Sequence, residues 1–205
     1  MRSHLPTPFA LVLLVGGLVA AAFARPAAGT ALEVGAAAPD FTAPASLAGK
    51  EMTFSLADAR KSGPVVVYFY PSAFTGGCNA EAHAFAENMD KFTAAGAKVI
   101  GVSLDSIARL NDFSADPNFC AGKLPVASDA DGKIAKSYGV DITPGEAGAK
   151  DSRGQEIGHD FAKRITFVVG QDGKVAATIG GVKPTENVDQ TLAAVQKLGK
   201  APVGR

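Results

Sequence analysis

The chain is expected to fold as an α/β protein, a three-layer sandwich with helices on both faces of a mixed central sheet. Three observations predict this. Pro64 to Tyr70 reads PVVVYFY, an unbroken apolar run of the kind a strand needs when both its faces are covered. Cys78, Ala82, Phe85, Met89 and Phe92 then recur at spacings of 4, 3, 4 and 3, which is one face of an amphipathic helix. Further on, Ile165–Val169 and Val175–Ile179 flank Asp172-Gly173, a hairpin signal that adds antiparallel strands.

The other elements fall between these. Phe41 to Leu56 is expected to hold short strands around a turn at Gly49-Lys50, and Lys98 to Leu104 is the next strand. Ser106 is placed to cap a helix carrying Ile107, Leu110 and Phe113. Leu124 to Ala127 reads as a short strand and Gly132 to Tyr138 as a short helix. Residues 141–162 show no clear period and read as a long loop, with Lys150, Asp151, Arg153 and Glu156 solvated on it. A last helix from about Thr185 points Val188, Leu192, Val195 and Leu198 inward. A βαβ half followed by a ββα half is the order of the thioredoxin architecture, so a thioredoxin-like sandwich is the expected fold.

The N-terminus is read as an address. Arg2 is followed by an uncharged stretch from Phe9 to Ala24, closed by Ala22-Phe23-Ala24 and Arg25-Pro26. That is the form of a secretory signal peptide over residues 1–24, the alternative being an uncleaved anchor. The run of 16 residues is short against the roughly 20 of a membrane span. Residues 25–37, rich in Ala, Gly and Pro, read as a linker, leaving the domain at 38–200. The mature protein is therefore expected to be exported, to a periplasm-like oxidising compartment, and not to be held in a membrane.

Composition narrows the function. The 20 basic and 20 acidic residues cancel, which argues against a nucleic-acid partner. Three His and two Cys are too few for a His-built metal cage, an iron–sulfur cluster or a disulfide scaffold. No metal and no cofactor is expected. The two cysteines, Cys78 and Cys120, read either as one structural disulfide or as chemistry.

The stretch Tyr70 to Glu81, YPSAFTGGCNAE, favours chemistry. It joins the C-terminal end of a buried strand to a helix, the place where sites sit in open α/β sheets. Cys78 falls in the first helical turn, where unpaired N–H groups and the helix dipole favour a thiolate. Gly76-Gly77 lets backbone approach a small ligand, and Thr75 can set a hydroxyl beside the sulfur.

Pro71, Thr75, Cys78 and Glu81, as Pro-x-x-x-Thr-x-x-Cys-x-x-Glu, resemble the active-site signature of the peroxiredoxins. APDF at 38–41, SDADGKIAKSYGV at 128–140 and RITFVVGQDGKV at 164–175 resemble the same family in register, over roughly 38–198. The likeness is greatest to the bacterioferritin comigratory protein-like group. The resemblance implies a thiol-dependent peroxidase acting on hydroperoxides. Cys78 would be the peroxidatic cysteine and Thr75 would hydrogen-bond peroxide and thiolate. Arg164 would be the active-site arginine, Pro71 would shield the sulfur, and Glu81 would orient the arginine. An external thiol, thioredoxin-like or small, would be the reductant, and the protein a monomer or homodimer.

One departure stands out. Many members of that group carry a resolving cysteine five residues after the first, where this chain has His83. The remaining thiol is Cys120, 42 residues on. It is read as the resolving cysteine, against a one-cysteine enzyme or a buried small hydrophobe. His83 and His159 read as solvated polar residues. A thiol–disulfide oxidoreductase would want Cys at position 75 or 81, and a copper carrier Cys at 74 or 82. Those positions hold Thr75, Glu81, Phe74 and Ala82.

Overall fold

The computed structural model describes residues 29–199. The segment read as a signal peptide lies outside the described residues. From the first strand on, the elements run β1 (Thr42–Leu47), β2 (Lys50–Ser55), α1 (Leu56–Arg60), β3 (Val65–Phe69), α2 (Gly76–Ala94) and β4 (Lys98–Ser103). They continue with α3 (Ile107–Ala115), β5 (Val126–Ser128), α4 (Lys133–Ser137), β6 (Ile142–Thr143), β7 (Phe161–Ala162), β8 (Ile165–Val169), β9 (Val175–Gly180) and α5 (Pro184–Gly199). The main sheet has the order β2-β1-β5-β4-β3-β8-β9. β3, β4 and β5 are parallel, while β8 and β9 on one side and β1 and β2 on the other are antiparallel.

The apolar run at 64–70 becomes the central strand β3, all of whose residues are buried. Because side chains alternate across a strand, Val65, Val67 and Phe69 enter one core and Val66 and Tyr68 the other. The first core is covered by α1 and α4, the second by α2, α3 and α5. The three layers follow from that alternation.

Ser106 caps α3 by accepting from the Arg109 amide. The long loop at 141–162 holds only the two-residue pair β6–β7 and an isolated bridge between Lys150 and Glu156. The segment read as a linker behaves otherwise. Of it, residues 29–37 dock onto the domain: Leu32 is buried, its amide donates to the Tyr138 carbonyl, and Gly35 and Ala36 exchange hydrogen bonds with Val175. Low sequence complexity hid one buried leucine and a set of backbone hydrogen bonds, which composition does not report.

Gly101 in β4 shows how tightly the second core is filled. A Cβ there would lie 2.6 Å from the Tyr68 ring and hydroxyl. We expect Gly101→Ala to lower the unfolding free energy by about 1–3 kcal/mol through overpacking, read from the denaturation midpoint. An unchanged midpoint would contradict this packing.

Candidate active site

The register of two antiparallel strands builds the site. Phe69, the last residue of β3, pairs with Ile165, the first of β8. Arg164 therefore stands beside the point where the chain leaves β3 for the loop 71–75 and enters α2 at Gly76. Cys78 lies in the first turn of α2 and is 2% exposed. Residues 86 apart in sequence thus meet, with Arg164 Nη2 donating to Cys78 Sγ at 3.2 Å. A guanidinium hydrogen bond and the N–H groups of a first helical turn both stabilise negative charge on that sulfur.

The other nitrogen, Arg164 Nη1, is paired with Glu81 Oε2. Glu81 sits one turn beyond Cys78, is fully buried, and its Oε1 has no partner among the described residues. Glu81 falls outside the apolar spacing of Cys78, Ala82, Phe85, Met89 and Phe92. It is nonetheless buried, and Arg164, just before β8, reaches in to meet it. Burial pushes the Glu81 carboxyl up to about 7 against the pull of Arg164. Burial works the other way on the guanidinium, but Cys78 and Glu81 outweigh it and reinforce the arginine's charge.

Thr75 is the N-cap residue of α2, but its side chain caps no helical amide. Its hydroxyl donates to the Ser72 carbonyl at 2.8 Å, and among the described residues no hydrogen bond joins it to Cys78. The oxygen keeps its lone pairs for a further donor. Pro71 is half-buried at the start of the loop. Phe74 takes a left-handed φ of 61° and is buried. Arg153 stacks 3.3 Å above its ring centroid, and the Ser152 amide donates to its carbonyl at 2.8 Å.

Sequence reasoning missed the groups behind this loop. Asp105 follows β4 and is completely buried. It accepts from the Ala73 amide at 2.8 Å, Ser103 Oγ at 2.7 Å and Ser72 Oγ at 3.1 Å, and it contacts Arg109 Nε at 2.8 Å and His159 Nε2 at 2.9 Å. Asp151, expected on a solvated loop, has a fully buried side chain that contacts Arg109 Nη2 at 2.8 Å and Arg153 Nε at 3.2 Å. His159, expected at the surface, bonds Asp105. A carboxylate directly after an apolar strand, as in Ser103-Leu104-Asp105, is the signal that pointed there. His83, by contrast, pairs with Glu87 on the exposed face of α2, as a solvated residue would.

Cys120 follows α3 in a turn, is fully buried, and is not bonded to Cys78. The two thiols share one apolar core, with Tyr68 and Tyr70 also in it. Both tyrosines are buried. Burial, reinforced by Asp116, pushes the Cys120 thiol far up, so that it stays protonated in this arrangement.

Residues 34–178 match the AhpC/TSA family. Peroxiredoxin Bcp of Xanthomonas campestris is 33% identical over 163 residues, which are 80% of this chain and 94% of that protein. Peroxiredoxin Bcp of Escherichia coli is 30% identical over 161 residues, 78% of this chain and 94% of that protein. The crystal structure of peroxidoxin BcpB from Mycobacterium tuberculosis aligns with a TM-score of 0.66 at 27% identity, covering 82% of this chain and 98% of that one. Such relatives do not favour a thiol–disulfide oxidoreductase or a copper carrier. The chain belongs to the AhpC/TSA family: it is a peroxiredoxin, a thiol-dependent peroxidase of hydroperoxides.

Proposed function

We propose that Cys78 is the peroxidatic cysteine and that Arg164, Thr75, Glu81 and Pro71 are its working neighbours. The 3.2 Å contact between Arg164 Nη2 and Cys78 Sγ carries this reading. The thiolate attacks the distal oxygen of ROOH, the O–O bond breaks, and RO⁻ leaves and takes a proton as ROH. The sulfur is left as sulfenic acid. Arg164 also faces the negative charge that develops on the leaving oxygen. Thr75 is placed to accept from the peroxide O–H with the lone pairs its Ser72 contact leaves free. Glu81 fixes the arginine's orientation, and Pro71 has the role of shielding the sulfur from water.

Cys120 resolves the sulfenic acid in this reading. Its thiol condenses with Cys78–SOH, forming the S–S bond and releasing water, and an external dithiol of the thioredoxin type then reduces the disulfide. Cys120 is buried and protonated in the reduced protein, so the 116–122 turn or the first turn of α2 has to open first. Phe119, next to it, packs edge-on against Phe74 at 5.7 Å. Motion of either segment is therefore felt by the other.

Export is part of the same proposal and is supported by the charge-free run at 9–24 and the Ala-Phe-Ala that closes it. N-terminal sequencing of the protein from its native host should begin at Arg25. Recovery of the chain from Met1 would overturn it.

Cys78→Ser should abolish hydroperoxide consumption. Cys120→Ser should leave the first oxidation intact but remove the 78–120 disulfide from the peptide mass spectrum of oxidised protein; its absence from oxidised wild type would overturn the resolving role. The glycine pair gives a second test. A Cβ at Gly77 would lie 3.3 Å from Arg164 Nη2 and 3.5 Å from Pro184 Cγ, whereas one at Gly76 meets nothing within 4 Å. Gly77→Ala is expected to displace the guanidinium and slow Cys78 oxidation roughly tenfold, with Gly76→Ala close to wild type in stopped-flow measurements. Equal rates for the two variants would contradict the fit.

A further inference from the structure

We propose that His159 is a positioning residue for peroxide reduction: as an imidazolium bonded to Asp105, it holds the Ser72-Ala73 turn from which Thr75 and Cys78 follow. The proposal rests on Cys78 being the reacting thiol.

The ring's hydrogen bonds fix its protonation. His159 Nε2 lies 2.9 Å from Asp105 Oδ1 and Nδ1 lies 2.7 Å from the Asp160 carbonyl oxygen. Carboxylate and carbonyl both accept only, so each ring nitrogen must carry a hydrogen. A neutral ring would leave one of those contacts as lone pair against lone pair. Burial works against the imidazolium, but the Asp105 hydrogen bond and charge outweigh it and hold the ring above the usual histidine pKa. Arg109 on α3 opposes this weakly. The rest of the ring faces Phe161, edge-on at 5.9 Å, a 570 Å³ depression that Asp112, Arg153 and Glu156 also line, and a smaller one lined by Asp131, Lys136 and Asp160.

Asp105 needs that charge. Arg109, its other cation, is shared with the buried carboxylate of Asp151. Arg153, the third cation, is divided between Asp151 and Asp112. Without the imidazolium, two buried carboxylates would draw chiefly on one guanidinium. Asp105 in turn fixes both the Ala73 amide and the Ser72 hydroxyl, and the Ser72 carbonyl takes the Thr75 hydroxyl. His159 Nε2 also lies 3.4 Å from Ser72 Oγ, so the ring reaches the reacting atoms only by way of Asp105 and this turn. Its stabilising contribution is complete below about pH 6.5, the ordinary histidine value, and is lost as pH rises through the raised one.

The test is the stopped-flow rate constant for Cys78 oxidation by hydrogen peroxide from about pH 6 to pH 9, in wild type, His159→Gln and His159→Lys. A rising limb from ionisation at the reacting site is shared by all three. Wild type should then show a falling limb on the alkaline side. His159→Gln should be slower by roughly tenfold at neutral pH and should lack that limb. His159→Lys, which keeps a cation, should recover most of the rate and move the limb to higher pH. An identical alkaline limb in the Gln variant, or rates within about twofold of wild type in both variants, would overturn the proposal. Should the Gln variant fail to fold, a limb at the wild-type pH in His159→Lys overturns it alone. Wild type whose Cys78 does not react with peroxide would instead sink the assignment of Cys78 and not that of His159.

Discussion

A guanidinium hydrogen-bonded to a nearly buried sulfur is the contact the rest of this molecule serves. An unpaired thiolate in that position would be costly, and an unpaired arginine beside it equally so. The sulfur therefore needs the guanidinium, which Glu81 holds from its other side. The requirement explains several features that are otherwise odd: a fully buried glutamate on a helix, a helix that opens with two glycines, and a strand that begins immediately after an arginine. The antiparallel pairing of β3 with β8 sets the distance, and the helix start sets the direction.

Around that contact lies a second set of charges with a different task. Asp105, Asp151, Arg109, Arg153 and His159 pin the loop between β3 and α2 from behind, using its own amide, hydroxyl and aromatic ring as handles. The left-handed Phe74 shows the loop is held against its own preference, since a bulky residue with positive φ is uncommon unless surrounding contacts impose it. In the proposed reaction, a loop so restrained keeps the sulfur aimed beforehand. It also has to yield afterwards if a buried second thiol is to reach the oxidised sulfur. Precision and release thus draw on the same contacts, and Phe74, which touches both Arg153 and Phe119, is where they meet.

The layers were legible in the sequence because strand and helix periods are strong signals. The unbroken run at 64–70 became the central strand, and the 4-3-4-3 spacing from Cys78 became α2, with Cys78 in its first turn. The site was legible in part. Arg164 lies against Cys78. Thr75, which the resemblance assigns to peroxide and thiolate, donates here to the Ser72 carbonyl. The buried charges were not legible for a physical reason. Asp151, Arg153 and His159 carry no periodicity, and a charged loop residue looks solvated until its partner, distant in sequence, is known. The same holds for residues 29–37, whose docking depends on backbone hydrogen bonds that every sequence can make.

The central claim is that the arginine contact makes Cys78 reactive. The most direct measurement is the second-order rate constant for oxidation of reduced Arg164→Ala by hydrogen peroxide, beside wild type at neutral pH. Loss of the guanidinium should lower it by roughly 10²–10³ with the fold retained by circular dichroism. A folded variant reacting within about twofold of wild type would contradict the account.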